Sequence, residues 1–165
     1  MDYQTYVTRN KKLAEINRLY SELSSYLGKD TARLTINNSK DIFNLMSPAL
    51  SFLDHEELWI IGLDVRNNVR SMVKLYQGNV SSAIIRTCEI FRDAVVSNYP
   101  TIVVVHNHPA GEPRPSAEDI STTREILRAG KLLDIQVLDH IIISNTRYTS
   151  IKDQDCINPW FPSSL

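Results

Sequence analysis

Thr101-Ile102-Val103-Val104-Val105-His106-Asn107-His108-Pro109-Ala110-Gly111-Glu112-Pro113-Arg114-Pro115-Ser116-Ala117-Glu118-Asp119 is the stretch on which the fold turns. Its first five residues are β-branched or apolar with no polar alternation, which predicts a strand covered on both faces. A loop rich in Pro and Gly follows from Asn107 to Pro115. Ser116 is a good N-cap, so a helix is expected from there to about Leu133. A buried strand feeding a tight loop and then a helix is an α/β arrangement, in which helices cover the sheet.

Working outward, Gln136 to Ser144 and Arg147 to Ile151 read as a strand pair around Ser144-Asn145-Thr146. Upstream, the apolar run Leu58 to Leu63, the turn Asp64 to Asn68 and the loosely alternating Val69 to Tyr76 form a hairpin. Between the two regions, Ser81 or Ser82 caps a helix with Ile84, Cys88, Phe91 and Val95 on one face. Cys88 is therefore expected in the core. Ser39 caps a further helix through Ile42, Phe43 and Met46, which Pro48 interrupts unless it opens a short new helix capped by Ser47. Leu13, Ile16, Tyr20, Leu23 and Leu27 recur at helical spacing up to a stop at Gly28, and Lys29 to Asn38 is a polar connection. The segment from Asp153 is rich in Pro and Ser and is expected to be poorly ordered, although Trp160 and Phe161 could cover an apolar edge or mediate self-association. No internal repeat is visible. The prediction is an α/β layer with a mixed sheet.

A chain of 165 residues suits one ordinary domain. Its formal net charge of -1 creates no global basic field for nucleic acid or anionic membrane. Cys88 and Cys156, the two cysteines, form no disulfide framework, which fits a reducing compartment. No apolar run spans a bilayer, and Met1 to Asn10 lacks a signal-peptide layout. A cytoplasmic protein is expected.

His106 and His108 lie two apart at a strand end, so they project to the same side. Imidazole suits zinc, and Asp119 can supply a third ligand from the first turn of the next helix. Gly111 allows a sharp turn, while Pro109, Pro113 and Pro115 restrict the loop that brings the helix start back. Three protein ligands leave one coordination position for water, the layout of a catalytic site. Each residue also has an ordinary role: Ser116 as N-cap, Asp119 as a first-turn acid, the histidines as loop hydrogen-bonders. The combination H-x-H-x7-S-x2-D at a strand–loop–helix junction favours the metal site. Asp139-His140 could form a second metal site or orient a ligand histidine, but a hydrogen-bonded structural pair is the expected reading.

This pattern resembles the JAMM motif of the JAB/MPN superfamily, and most closely its bacterial RadC-like branch. The likeness runs from about Ile36 to Asp153 and includes Leu63-Asp64-Val65-Arg66-Asn67, Gln77-Gly78, His106 to Ser116, and Leu138-Asp139-His140-Ile141-Ile142-Ile143. It implies a cytidine-deaminase-like mixed sheet flanked by helices over residues 36–153, with a helical leader at 1–35 and a tail at 154–165. Full-length RadC proteins carry a helix-hairpin-helix region, whose Gly-containing hairpins the leader lacks, so a stand-alone catalytic domain is expected. The motif also contains a glutamate before the early strand. Anchoring on Leu63-Asp64 puts it at Glu56, with Glu57 as the alternative; in an extended segment one points to the site and the other away. His55 beside them reads as an exposed histidine. The resemblance further implies zinc at His106, His108 and Asp119, Glu56 as general base, and Ser116 at the oxyanion of an amide hydrolysis on a protein or peptide substrate.

Other functions weigh less. RadC-like proteins carry a historic DNA-repair label, but the near-neutral charge argues against autonomous DNA binding. A non-catalytic MPN scaffold typically lacks motif ligands, which are present here. A nucleobase deaminase calls for a Pro-Cys-x-x-Cys pair that is absent. Neither the substrate nor the oligomeric state is readable from the residues.

Overall fold

The computed structural model describes residues 34–78, 86–154, 157–158 and 160. The leader helix expected up to Gly28, the cap expected at Ser81 or Ser82, Ile84, Cys156 and Phe161 lie outside these residues. The described elements are α1 (Ser39–Leu50), β1 (Glu57–Leu63), β2 (Val69–Gln77), α2 (Thr87–Ser97), β3 (Thr101–Asn107), α3 (Ala117–Leu133), β4 (Gln136–Ser144) and β5 (Arg147–Ser150). The strands form one mixed sheet in the order β2-β1-β3-β4-β5. Only the β3–β4 pairing is parallel; the other three are antiparallel. The parallel pair is the one joined through a helix, because parallel strands cannot be linked by a tight turn.

The sheet is covered on both faces, which explains why β3 is buried at every residue and reads as unbroken apolar sequence. One face carries Leu58, Ile60, Ile102, Val104, Val137 and Ile142 against Ile90, Phe91 and Ala94 of α2 and Ile126 and Leu127 of α3. The other carries Ile61, Leu63, Val103, Val105, Ile141 and Ile143 against Ile42, Met46 and Leu50 of α1. Strand alternation thus divides β3 between two cores.

Several expectations need correction. The N-cap of α1 is Asn38, one residue earlier than predicted. Its side chain accepts from Asp41 N–H while the Asp41 carboxylate takes the N–H of Asn38, a reciprocal capping box. Pro48 does not interrupt α1, which runs through it to Leu50. Cys88 is exposed, and the buried face of α2 is Ile90, Phe91 and Ala94, with Val95 57 % exposed. The region after Asp153 is not simply loose: Ile157 is buried, and Trp160 packs on the α2–α3 core while its Nε1 donates to the Val137 carbonyl at 2.9 Å. No helix among the described residues is long and apolar enough to cross a membrane.

Candidate metal centre

The site lies at the carboxyl end of β3 and the amino end of α3, where open α/β sheets commonly bind ligands. In the β1–β3 register His106 stands opposite Leu58, so its imidazole shares the face packed by α2 and α3. His108 follows one residue beyond the strand, anchored by its N–H to the Ile143 carbonyl at 2.8 Å. Gly111, at φ +86, turns the loop back. Its carbonyl accepts from the Ser144 hydroxyl at 2.7 Å, which ties the loop to the end of β4.

Asp119 arrives as predicted, on the first turn of α3. Ser116 is the N-cap: its Oγ accepts from Asp119 N–H at 3.0 Å, and Asp119 Oδ2 accepts from the N–H and the hydroxyl of Ser116 at 2.8 and 2.7 Å. Capping therefore orients the carboxylate toward the histidines. His106 Nε2 lies 3.0 Å from His108 Nε2 and 3.2 Å from Asp119 Oδ1, and His108 Nε2 lies 3.5 Å from Asp119 Oδ2. The two histidines face different oxygens of the Asp119 carboxylate, and one ligand atom from each of the three residues lies within 4.8 Å of the others, close enough for all three to turn onto one small cation. His106, His108 and Asp119 are a group that could hold a metal.

The electrostatics suit a cation. Burial pushes the Asp119 carboxyl up, but the facing imidazoles of His106 and His108, together with the Ser116 hydroxyl, outweigh it and hold the group far below the usual carboxylate range. His108 is raised, first by its hydrogen bond to Asp119 against the opposing effect of burial, then by the Glu112 carbonyl and by the charges of Asp119 and Glu56.

The two glutamates separate by face. Glu57 is buried on the side of Trp59, where its carboxylate meets Lys74 Nζ at 2.6 Å, Trp59 Nε1 at 2.9 Å and His55 Nε2 at 3.2 Å. Burial raises its pKa, and these partners more than reverse the effect. His55, expected to be merely exposed, is half-buried and bridges Glu57 and Asp54. Glu56 stands just before β1, and its charge reaches His108.

Three contributors were missed or under-weighted in the sequence. Asn107, between the two histidines, turns to the opposite side; its Oδ1 accepts from Glu57 N–H at 2.7 Å and its Nδ2 donates to the His55 carbonyl at 2.9 Å. With Gly78 N–H on the Glu56 carbonyl at 2.9 Å, the backbone around Glu56 is pinned from both sides. His140 was expected to form a structural pair with Asp139, but its imidazole meets His106, with Nε2 2.8 Å from His106 Nδ1. Its Nδ1 lies 2.6 Å from the hydroxyl of Thr123, a residue that the sequence reading passed over. Burial, and then the charge of His106, holds the pKa of His140 well below the ordinary histidine value. Spacing along α3 places Thr123 one turn after Asp119, the only local signal that could have found it.

The RadC-like JAB domain family matches residues 36–156. A UPF0758 protein of Chloroflexus aurantiacus is 46 % identical over 122 residues, covering 74 % of this chain and 53 % of the relative. A UPF0758 protein of Roseiflexus castenholzii is 41 % identical over 128 residues, covering 78 % and 55 %. One of Clostridium perfringens is 36 % identical over 128 residues, covering 78 % and 56 %. The match thus spans about half the length of these relatives. By the extent of the family match and the level of identity, the chain belongs to the RadC-like JAB domain family.

Proposed function

We propose that this protein is a zinc-dependent amide hydrolase, a peptidase or isopeptidase, with the ion held by His106, His108 and Asp119. The observation that carries this reading is the convergence of one ligand atom each from His106, His108 and Asp119 within 4.8 Å of one another, with the charge of Glu56 reaching His108. Zinc bound there supplies an acidified water and a Lewis acid for the scissile carbonyl. Glu56 takes the proton of the attacking water and delivers it to the leaving amine. Glu57 is unsuited to that task, because its carboxylate is committed to Lys74 on the other face. Ser116 is the donor to the developing oxyanion. To serve there its hydroxyl rotates off Asp119 Oδ2, which keeps a second donor in the Ser116 N–H.

The substrate is a protein or peptide, and the free thiol of Cys88 fits a cytoplasmic setting. Native mass spectrometry with metal analysis on wild type and His108→Ala tests the ligand set. One equivalent of zinc retained by the variant would sink it. Cleavage profiling on denatured proteins and isopeptide-linked conjugates tests the reaction: wild type is expected to cut, and Glu56→Gln to bind zinc without turnover. A Glu56→Gln protein that turns over at the wild-type rate removes Glu56 as the base.

A further inference from the structure

The structure assigns to His140 and Thr123 the task of reserving the Nε2 lone pair of His106 for the metal, through a one-way chain of hydrogen bonds. This inference rests on the metal reading above and concerns what stands behind the ligand. A metal-bound histidine normally gives its other ring N–H to a carboxylate, carbonyl or water, which fixes its tautomer and orientation. Behind His106 Nδ1 stands a second imidazole instead, that of His140, at 2.8 Å and fully enclosed.

The direction of the chain follows from its far end. The Thr123 hydroxyl donates its one proton to the Asp119 carbonyl at 2.6 Å. Its oxygen can then only accept from His140 Nδ1, 2.6 Å away, so that nitrogen carries the hydrogen. His140 Nε2 is left as an acceptor and takes the N–H of His106 Nδ1. His106 Nε2 is consequently bare, and it is the atom that faces His108 and Asp119. The chain starts at the backbone of one ligand and ends at the ring of another, so it also couples the first turn of α3 to the end of β3. His108 is set separately, by Nδ1–H on the Glu112 carbonyl at 3.1 Å.

A neutral imidazole backing His106 has a chemical consequence. It accepts the hydrogen without adding the negative charge of a carboxylate, so His106 becomes a less basic ligand and the bound ion stays more electrophilic.

The test uses the whole chain labelled with 15N-histidine and loaded with zinc. Only four histidines contribute, so two-bond 1H–15N spectra are assignable by substitution. The expected result is His140 as the Nδ1–H tautomer and a protonated Nδ1 on His106; a His140 imidazolium or Nε2–H tautomer overturns the assignment. Zinc affinity is then measured by chelator competition, alongside the unfolding stability of the metal-free proteins. His140→Leu is expected to weaken binding by about 10- to 100-fold. Thr123→Val, nearly isosteric, should weaken it less and change metal-free stability little. His140→Gln, whose amide oxygen replaces the Nε2 acceptor, should recover most of the loss. Affinity losses that merely follow stability, with no recovery by glutamine, overturn the proposal, and so does unchanged affinity in Thr123→Val and His140→Leu. Wild-type chain that takes up no zinc overturns the metal reading and this assignment together. Affinities that respond as expected in a protein that cleaves no amide leave this assignment standing and remove the hydrolase.

Discussion

Asp139 and His140 are neighbours in sequence that β4 sends to opposite faces, one to each core. The Asp139 carboxyl is buried, and among the described residues no cation pairs with it; it accepts from the Ser150 hydroxyl at 2.8–2.9 Å and from His140 N–H at 2.7 Å. Burial pushes its pKa up from 3.8 to about 6, partly offset by the Ser150 hydrogen bond. Between those values the folded protein holds a proton that the unfolded chain has lost, so this group's contribution improves as pH falls from about 6 toward 4. At pH 7 to 8 the full penalty stands, about 3 kcal/mol for two pKa units. Asp139→Asn is therefore expected to stabilise the chelated protein at pH 8 by about 1–3 kcal/mol and to change little at pH 4, as read by urea unfolding at both values. Equal pH dependence in the two proteins would show that the carboxyl does not titrate there. At this scale the sequence was informative where alternation decides direction. His106 and His108 had to share a side, and Glu56 and Glu57 had to part. Which glutamate faced which way depended on Lys74, a partner on β2 that no local pattern identifies. The partner of His140 was hidden for the same reason, since His106 is thirty-four residues away.

Among the elements, α3 shows how a helix end can depend on a missing side chain. Gly130 lies in the last turn, and a Cβ there would stand 2.6 Å from the Ile135 carbonyl oxygen and 3.0 Å from Val137 Cγ2. The chain needs that closeness because Ile135 N–H returns to the Gly130 carbonyl at 2.9 Å before β4 begins. Gly130→Ala is expected to destabilise by about 1–3 kcal/mol, overcoming the roughly 1 kcal/mol that alanine gains in helix propensity. Chemical denaturation checks it; a more stable variant would mean that the backbone yields easily. Ser116→Ala removes the cap of the same helix and should cost about 1 kcal/mol in metal-free protein. Elements with strong end signals were legible, α3 above all. The face of α2 was not, because apolar residues occur on both of its sides: Val95 and Val96 are exposed, and Cys88 with them. Periodicity marks a stripe only when the opposite face is polar. Pro48 misled in a different way, since a proline near the end of α1 can be accommodated while the helix continues to Leu50.

Over the whole described domain, the mixed sheet and its two covered faces followed from the buried texture of β3 and the order of elements around it. The strand order and parallel pairing rest on long-range register, which composition does not encode. Metal binding should be felt at this scale, since a ligand that binds only the folded state stabilises it by mass action. Zinc at a hundred times its dissociation constant is expected to add about 2.7 kcal/mol, lost on chelation and absent in His108→Ala. Calorimetry with and without chelator measures it, and an unchanged midpoint argues against zinc at this site. The side chain of Asn107 bears on the same question from another side. By holding His55 and Glu57 it fastens the stretch around Glu56 to the very strand that carries His106 and leads to His108. The proposed acid–base group and the proposed histidine ligands are therefore tied into one block, and when the sheet flexes they are expected to travel together. Alignment in such a centre is preserved by shared attachment, so slow breathing of the surrounding fold need not disturb the distances on which a proton transfer depends.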